Sequence, residues 1–197
     1  MEELTALLET PDAPPGRERV LCGITGGGPR HETQEALLRR GLGDADRVVD
    51  VAPGSLLEEG LPYVRSAMAI ILDADLSDVP ERYREDERAR RLVGVVADGV
   101  ERGGVVIVPA KEWELQDYAR ERECRVAIFA TTDDITRRDQ RVARAQALVR
   151  ERRIVLESFD RSCDGGALRD DAPPAAQVAA ALAMFTFEER QPGHAGP

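Results

Sequence analysis

The sequence is poor in the residue types that most often carry catalysis. Its 197 residues include two histidines, three cysteines and one tryptophan. The cysteines are far apart and odd in number, so they form neither a zinc-binding pattern nor a disulfide framework. Cys22 lies in an apolar segment, which favours a buried and inert thiol. Because His194 is in the C-terminal tail, only His31 remains, and no Ser/His/Asp triad can be argued. The sequence therefore identifies no catalytic residue.

Lysine and long apolar segments are also scarce. The formal net charge is −10 at pH 7, and Lys111 is the only lysine beside many arginines. This balance argues against DNA, RNA or an anionic membrane surface as the main partner. No apolar run approaches the ~20 residues that span a bilayer, and the acidic start Met1–Thr5 has no secretory signal. We therefore predict a cytoplasmic protein without a membrane span.

The chain does contain a triple glycine, Gly26–Gly28, between two structured segments. Val20–Ile24 predicts a buried strand, and Glu32–Gly41 predicts the helix that follows. A strand, glycine loop and helix in this order can hold a phosphate through backbone N–H groups and the helix dipole. The full pattern G-x-x-x-x-G-K-[ST] is not present, because Arg30 stands at the lysine position and His31 at the hydroxyl position.

The residues that replace the usual ones leave two interpretations of this loop. Pro29 has no N–H to offer a phosphate, whereas Arg30 can pair with phosphate oxygens through its planar fork. The loop is therefore either a nucleotide site or a turn retained from an ancestral site. His31 is either a metal ligand or a solvated polar residue at a helix start.

Four aspartates form a candidate metal site. Asp73, Asp75 and Asp78 follow a segment that predicts a buried strand, and Asp50 stands at the end of another. Carboxylate oxygens are suitable ligands for Mg²⁺ or Ca²⁺. The alternative is a solvated loop before a helix, where aspartate is favoured in any case.

Predicted strands and helices alternate along the chain. The strands are at about 19–25, 47–51, 67–72, 105–108, 125–130 and 154–156, and the helices at about 32–41, 56–64, 81–101, 111–122, 134–150 and 175–187. Residues 158–172 are predicted as loop. This order predicts an α/β fold with a mostly parallel, Rossmann-like (P-loop-type) sheet of about five or six strands, helices on both faces, and ligands beyond the carboxyl ends of the strands.

The predicted domain organisation is simple. We expect an N-terminal arm and linker at residues 1–17, one α/β domain at 18–188, and a disordered tail at 189–197.

Five stretches follow one another in the order of a known set of motifs. Gly23–His31 resembles G-V-T-G-T-N-G-K-T, and Asp50–Leu57 resembles E-T-A-R-G-G-L-L. The others are Ile70–Val79, which resembles a strand ending in N-I-x-x-D-H-L, Gly103–Glu112, which resembles G-G-x-x-V-x-N-A-D-D, and Gln177–Ala183, at the place of an H-N-x-x-N-A-L-A-A-A helix. Over residues 18–186 the chain thus resembles the Mur-type ATP-dependent amide ligases, most nearly poly-γ-glutamate synthetase and the ligase half of cyanophycin synthetase.

The resemblance implies a set of ATP-binding and Mg²⁺-binding positions. The nucleotide-binding candidates are Gly23, Thr25, Gly26, Gly27, Gly28, Arg30 and His31, of which the last two replace the phosphate-binding lysine and the metal-binding hydroxyl. Asp50 and Asp78 would replace the metal-binding glutamate and histidine, and Pro53 replaces the arginine of A-R-G-G. Relative to the superfamily, the segment between the first two motifs and the C-terminal domain that helps bind the incoming amino acid are missing.

These departures favour a degenerate Mur-ligase-like protein that serves as a non-catalytic binding or assembly subunit of a biosynthetic complex. One alternative is a minimal ATP-dependent amide ligase that acts on an amino acid or a polyglutamate-like substrate. Another is a small-molecule-binding α/β module unrelated to ATP.

We also expect a homo-oligomer or a protein partner, such as an active ligase. In the superfamily the central domain contacts other domains, and apolar surface that they would bury has to be buried by another chain. The candidate contact residues are Trp113, Tyr118 and the apolar helix Ala175–Phe187. The alternative is that this helix packs on the sheet of its own chain.

Overall fold

The computed structural model describes residues 19–43, 47–132 and 143–188. The strands in these ranges are β1 Arg19–Thr25, β2 Val48–Asp50, β3 Arg65–Ile71, β4 Val100–Pro109, β5 Arg125–Phe129, β6 Ala145–Arg150, β7 Arg153–Ser158 and β8 Ser162–Ala167. The α-helices are α1 Arg30–Arg39, α2 Pro53–Glu59, α3 Asp86–Asp98, α4 Trp113–Glu121 and α5 Pro174–Glu188, and Glu81–Tyr83 forms a short 3-10 helix. The predicted arm at 1–17 and the predicted tail at 189–197 both lie outside the described ranges.

The eight strands form one sheet in the order β2-β1-β3-β4-β5-β6-β7-β8. All pairs from β2 to β6 are parallel, whereas β6, β7 and β8 pair antiparallel. The predicted α/β fold with a mostly parallel sheet is therefore confirmed, and the sheet is larger than the five or six strands expected.

Two helical layers cover the sheet, as predicted. Successive side chains of a strand point to opposite faces, so Ile70 packs with α1 and α5, while Ile71 packs with α2, α3 and α4. Both side chains are fully buried or nearly so. Proline opens α2 and α5, where its missing N–H costs the helix nothing. None of the helices in the described part of the chain combines the length and apolarity that crossing a bilayer requires.

The structure corrects two predicted elements near the end of the chain. Residues 145–150 were expected to be the end of a helix at 134–150, but they form β6, which lies between β5 and β7. Residues 134–142 of that helix lie outside the described ranges. Residues 162–167, expected to be loop, form β8, whose polar and glycine-rich sequence is compatible with a strand that has a partner on one side only.

The long helix predicted at 81–101 is also shorter than expected. The α-helix covers Asp86–Asp98, because Val100 already begins β4 after the Gly99 C-cap. The 3-10 turn that precedes it follows Pro80.

The apolar C-terminal helix is buried by its own chain. In α5 the side chains of Val178, Leu182 and Phe185 are almost completely buried, and the helix contacts α1 and strands β4 to β8. Of the two interpretations, packing on the chain's own sheet is therefore the one observed in the described ranges. Trp113, by contrast, remains 51% exposed.

Candidate functional site

The glycine loop lies where parallel α/β sheets usually bind ligands, at the carboxyl ends of their strands. It leaves β1 after Thr25 and enters α1 at Arg30, with Gly26 at a φ of +122°. The neighbouring strand β3 is hydrogen-bonded alongside, and the Leu72 N–H donates to the Thr25 carbonyl at 2.9 Å. This pairing brings the loop after β3 against the glycine loop, although the two are far apart in sequence.

The carboxylate of Asp73 lies within the glycine loop. The Gly27 N–H donates to Asp73 Oδ1 at 2.7 Å, and the Asp75 N–H donates to the same oxygen at 3.0 Å. A Cβ at Gly28 would lie 2.5 Å from Asp73 Oδ2, so a larger residue there would require the carboxylate to shift. Asp73 therefore takes a backbone N–H that a phosphate oxygen would use.

Arg30 points back into the protein. Its Nη1 donates to the Gly26 carbonyl oxygen, and its Nε lies 3.2 Å from Asp50 Oδ1. Both side chains of the ion pair are largely shielded from solvent. The residues at the lysine and glutamate positions of the resemblance thus neutralise each other.

The remaining polar residues of the loop have structural partners. The Thr25 hydroxyl is fully buried and donates to the Val51 carbonyl at 2.8 Å, which ties β1 to the segment after β2. The Thr33 hydroxyl donates to the Pro29 carbonyl at 2.7 Å. The His31 side chain is 73% exposed, with Nε2 3.4 Å from Glu35 Oε1. His31 thus lies on the solvent side of α1.

Gly23 belongs to the core rather than to the loop. A Cβ at this position would lie 2.0 Å from the hydroxyl oxygen of Tyr63, whose side chain is buried. Burial raises the pKa of the Tyr63 hydroxyl and of the neighbouring Cys22 thiol, so neither ionises near neutral pH. Gly23 therefore makes room for an aromatic ring. Nothing in the sequence motif reveals this role of Tyr63.

The four aspartates make separate contacts. Besides Asp50 with Arg30 and Asp73 in the glycine loop, Asp78 Oδ2 accepts the Gly54 N–H at 3.1 Å. Asp75 Oδ1 accepts the N–H of the serine two residues later. Across the described ranges, no three His, Cys, Asp or Glu side chains are grouped so that they could hold a metal ion. The metal site assigned to these residues stays a prediction.

The fold and the site together define an α/β protein with a P-loop-like strand, glycine loop and helix. No protein-family model matches the sequence, and no curated protein matches it either. Solved structures do match, among them MurF ligases, a murein peptide ligase and a pseudomurein peptide ligase.

Three of these matches show the extent of the likeness. The chain is similar to MurF from Acinetobacter baumannii with a TM-score of 0.55 and 14% identity, covering 87% of this chain and 43% of that one. It is similar to a pseudomurein peptide ligase type C from Methanothermus fervidus with a TM-score of 0.56 and 10% identity, covering 86% of this chain and 47% of that one. It is similar to MurF ligase from Thermotoga maritima in complex with ADP with a TM-score of 0.53 and 12% identity, covering 89% of this chain and 47% of that one.

The likeness confirms a Mur-ligase-like fold over most of the chain. The chain spans less than half the length of these proteins. At such low identity the comparison establishes the fold alone, and activity has to be argued from the site.

Proposed function

We propose that this protein is a non-catalytic, Mur-ligase-like subunit that binds or assembles with other components of a biosynthetic complex. The observation that carries the proposal is the Asp73 carboxylate, which accepts the Gly27 N–H at 2.7 Å. A phosphate would have to displace this group, and a displaced carboxylate nearby would still repel it, since like charges at short range are unfavourable.

The other loop residues also fit MgATP poorly. Pro29 supplies no N–H, and Arg30 is engaged with Asp50 and the Gly26 carbonyl. A contact between Arg30 and a phosphate would cost these interactions. The lost lysine, hydroxyl and N–H are the groups that a P-loop uses to hold phosphate and Mg²⁺.

A minimal ATP-dependent amide ligase remains the second candidate, and its substrate would be an amino acid or a polyglutamate-like chain. The observation that favours it is the similarity to a MurF ligase whose structure is a complex with ADP. In this case Asp73 would have to leave the loop when the nucleotide enters. This second candidate includes the proposal that the protein is related to poly-γ-glutamate synthetase or to the ligase half of cyanophycin synthetase.

Calorimetric titration with MgATP separates the two candidates. We expect a Kd no tighter than roughly 1 mM, which corresponds to about −4 kcal/mol. A micromolar Kd that Arg30→Ala removes would contradict the proposal and support the ligase. A micromolar Kd unaffected by Arg30→Ala would place the nucleotide outside the glycine loop.

The proposed assembly is tested separately. The helix α5 is covered by its own chain, and Tyr118 is partly buried between Asp98 and Arg122. The exposed Trp113 is therefore the candidate contact that we test. We expect light scattering at micromolar concentration to report a mass above that of one chain, and Trp113→Ala to lower it. A single-chain mass at all concentrations would refute self-association, and a pull-down from the source cell would then test for a different partner.

A further inference from the structure

A charged cavity lies at the opposite end of the parallel strands from the glycine loop. It has a volume of about 460 Å³ and is formed where β1, β3 and β4 begin and α3 ends. Its lining residues are Arg19, Arg65, Ala97, Asp98, Val100, Glu101, Arg102 and Arg122. We call it the arginine cavity, because four of these eight residues are arginines.

Two of the arginines are neighbours by the register of the sheet. Arg19 of β1 is directly paired with Arg65 of β3. Like charges opposite each other on adjacent strands are unfavourable unless something neutralises them. Glu101 lies beside Arg19, with its Oε1 2.7 Å from Arg19 Nη2. No residue of the described ranges forms an ion pair or hydrogen bond with the side chain of Arg65.

The carboxylates around the cavity are engaged by the other arginines. Asp98 pairs with Arg122 and also accepts the Tyr118 hydroxyl at 3.1 Å. Arg102 is paired with Glu123, which lies outside the cavity lining, at 2.6 Å. Three of the four arginines at the cavity are thus paired with carboxylates, and Arg65 is the one without an ion pair in the described ranges.

We propose that the arginine cavity binds a small ligand with two neighbouring anionic groups, either a diphosphate or a dicarboxylate. Arg65 supplies a guanidinium group that has no side-chain partner in the described ranges, and Arg19, which Glu101 also contacts, lies beside it for the second anionic group. The guanidinium group is a planar fork that pairs with phosphate or carboxylate oxygens through two parallel hydrogen bonds. The cavity volume is within the usual range of small-molecule sites. This site is independent of the glycine loop.

The test is calorimetry of the full chain at low ionic strength, where such contacts are least screened. Inorganic pyrophosphate and succinate are titrated separately, so that the two arms distinguish phosphate from carboxylate recognition. We expect at least one of them to bind, and Arg65→Ala to weaken it about tenfold or more, as expected for a lost hydrogen bond between charged groups.

Three variants make the result specific. Arg91→Ala removes an arginine that pairs with Glu87 on the exposed face of α3, and it should leave binding unchanged. Arg30→Ala in the glycine loop should do the same. Arg65→Gln, which keeps a polar but shorter and uncharged side chain, should weaken binding as Arg65→Ala does.

Three results would overturn the proposal. They are no binding of either anion to the wild type, equal binding by wild type and Arg65→Ala, or loss of binding in Arg30→Ala with Arg65→Ala unaffected. Because Arg65 is exposed and has no side-chain partner in the described ranges, its substitution should leave the fold intact, and the melting temperature of each variant checks this.

Discussion

Charged side chains at the two ends of the parallel strands differ in whether they have partners within the protein. At the carboxyl ends, where ligands of such sheets usually bind, Asp73 accepts the Gly27 N–H and Arg30 pairs with Asp50. At the amino ends, Arg65 faces the arginine cavity without an ion pair in the described ranges. At the carboxyl ends, the polar groups of the glycine loop are thus engaged by side chains of the same protein. The amino ends include an arginine that has no ion pair in the described ranges.

This contrast limits what fold similarity can say about function. The likeness to Mur ligases places the glycine loop at the usual end of the sheet. It does not reveal that a carboxylate of the same chain lies in that loop, because this depends on one side chain after β3. For this protein, the hydrogen-bond partners of the loop are more informative about nucleotide binding than the fold.

The largest expected effect concerns the boundary between the core and the carboxyl end. Gly23→Ala places a Cβ 2.0 Å from the Tyr63 hydroxyl oxygen, and overpacking of this kind costs about 2 to 3 kcal/mol. We expect urea unfolding to show a decrease of that size in the free energy of unfolding. When Gly23→Ala is added to Asp73→Ala, phosphate binding should be the same as in Asp73→Ala alone.

The control for this variant is Gly41→Ala. Gly41 follows α1 with a φ of +83° and no atom within 4 Å of a Cβ, so its substitution reports backbone strain alone, about 1 kcal/mol. If Gly23→Ala lowers the free energy of unfolding no more than the control does, Gly23 is not packed against Tyr63 as described. Its assignment to the core rather than to the glycine loop would then be wrong.

A smaller effect is expected at Asp73 itself. Asp73→Ala leaves the Gly27 and Asp75 N–H groups without their acceptor, and we expect it to lower the free energy of unfolding by about 1 kcal/mol. Asp75→Ala is the matched control, because Asp75 is more exposed and accepts one N–H, from Ser77. Equal losses in the two variants would argue against a special role for Asp73.

The smallest expected effect is that of divalent metal. Because Asp50, Asp73 and Asp78 make separate contacts, millimolar Mg²⁺ should leave the melting temperature of the wild type unchanged. A ligand that binds the native state alone would raise it. The contrary result is a rise in melting temperature that the double variant Asp75→Asn and Asp78→Asn abolishes. It would establish the aspartate metal site and show that the carboxyl ends of the strands do bind a ligand.

The sequence was sufficient to predict the parallel part of the sheet, because its strands are continuous apolar runs separated by helical segments. It was misleading at the antiparallel end for a local reason. Glu151 and Arg152 have φ angles of 47° and 61° and form a two-residue turn between β6 and β7. Such turns usually contain glycine or asparagine, so the hairpin has no sequence signal.

The sequence pointed to the glycine loop as a nucleotide candidate and to Asp73 as a metal candidate, and both assignments stay predictions. It gave no indication that the two are in contact. The contact between Asp73 and Gly27 joins residues 46 apart in sequence, and it depends on β1 and β3 being neighbours in the sheet. The same limit applies to Gly23 under Tyr63 and to the Arg19 and Arg65 pair, since sequence alone does not give strand order or register.

The most direct measurement of the central claim is the response of Asp73→Ala to inorganic phosphate. If the carboxylate substitutes for a phosphate in the glycine loop, its removal should allow phosphate to bind there. At ten times its Kd, phosphate should then stabilise the variant by about 1.4 kcal/mol, seen as a rise in melting temperature. Both proteins should carry Arg65→Ala, so that the arginine cavity does not contribute. The account predicts a rise in the Asp73→Ala protein and none in its Asp73 counterpart, and an equal response of the two proteins, or no response in either, would contradict it.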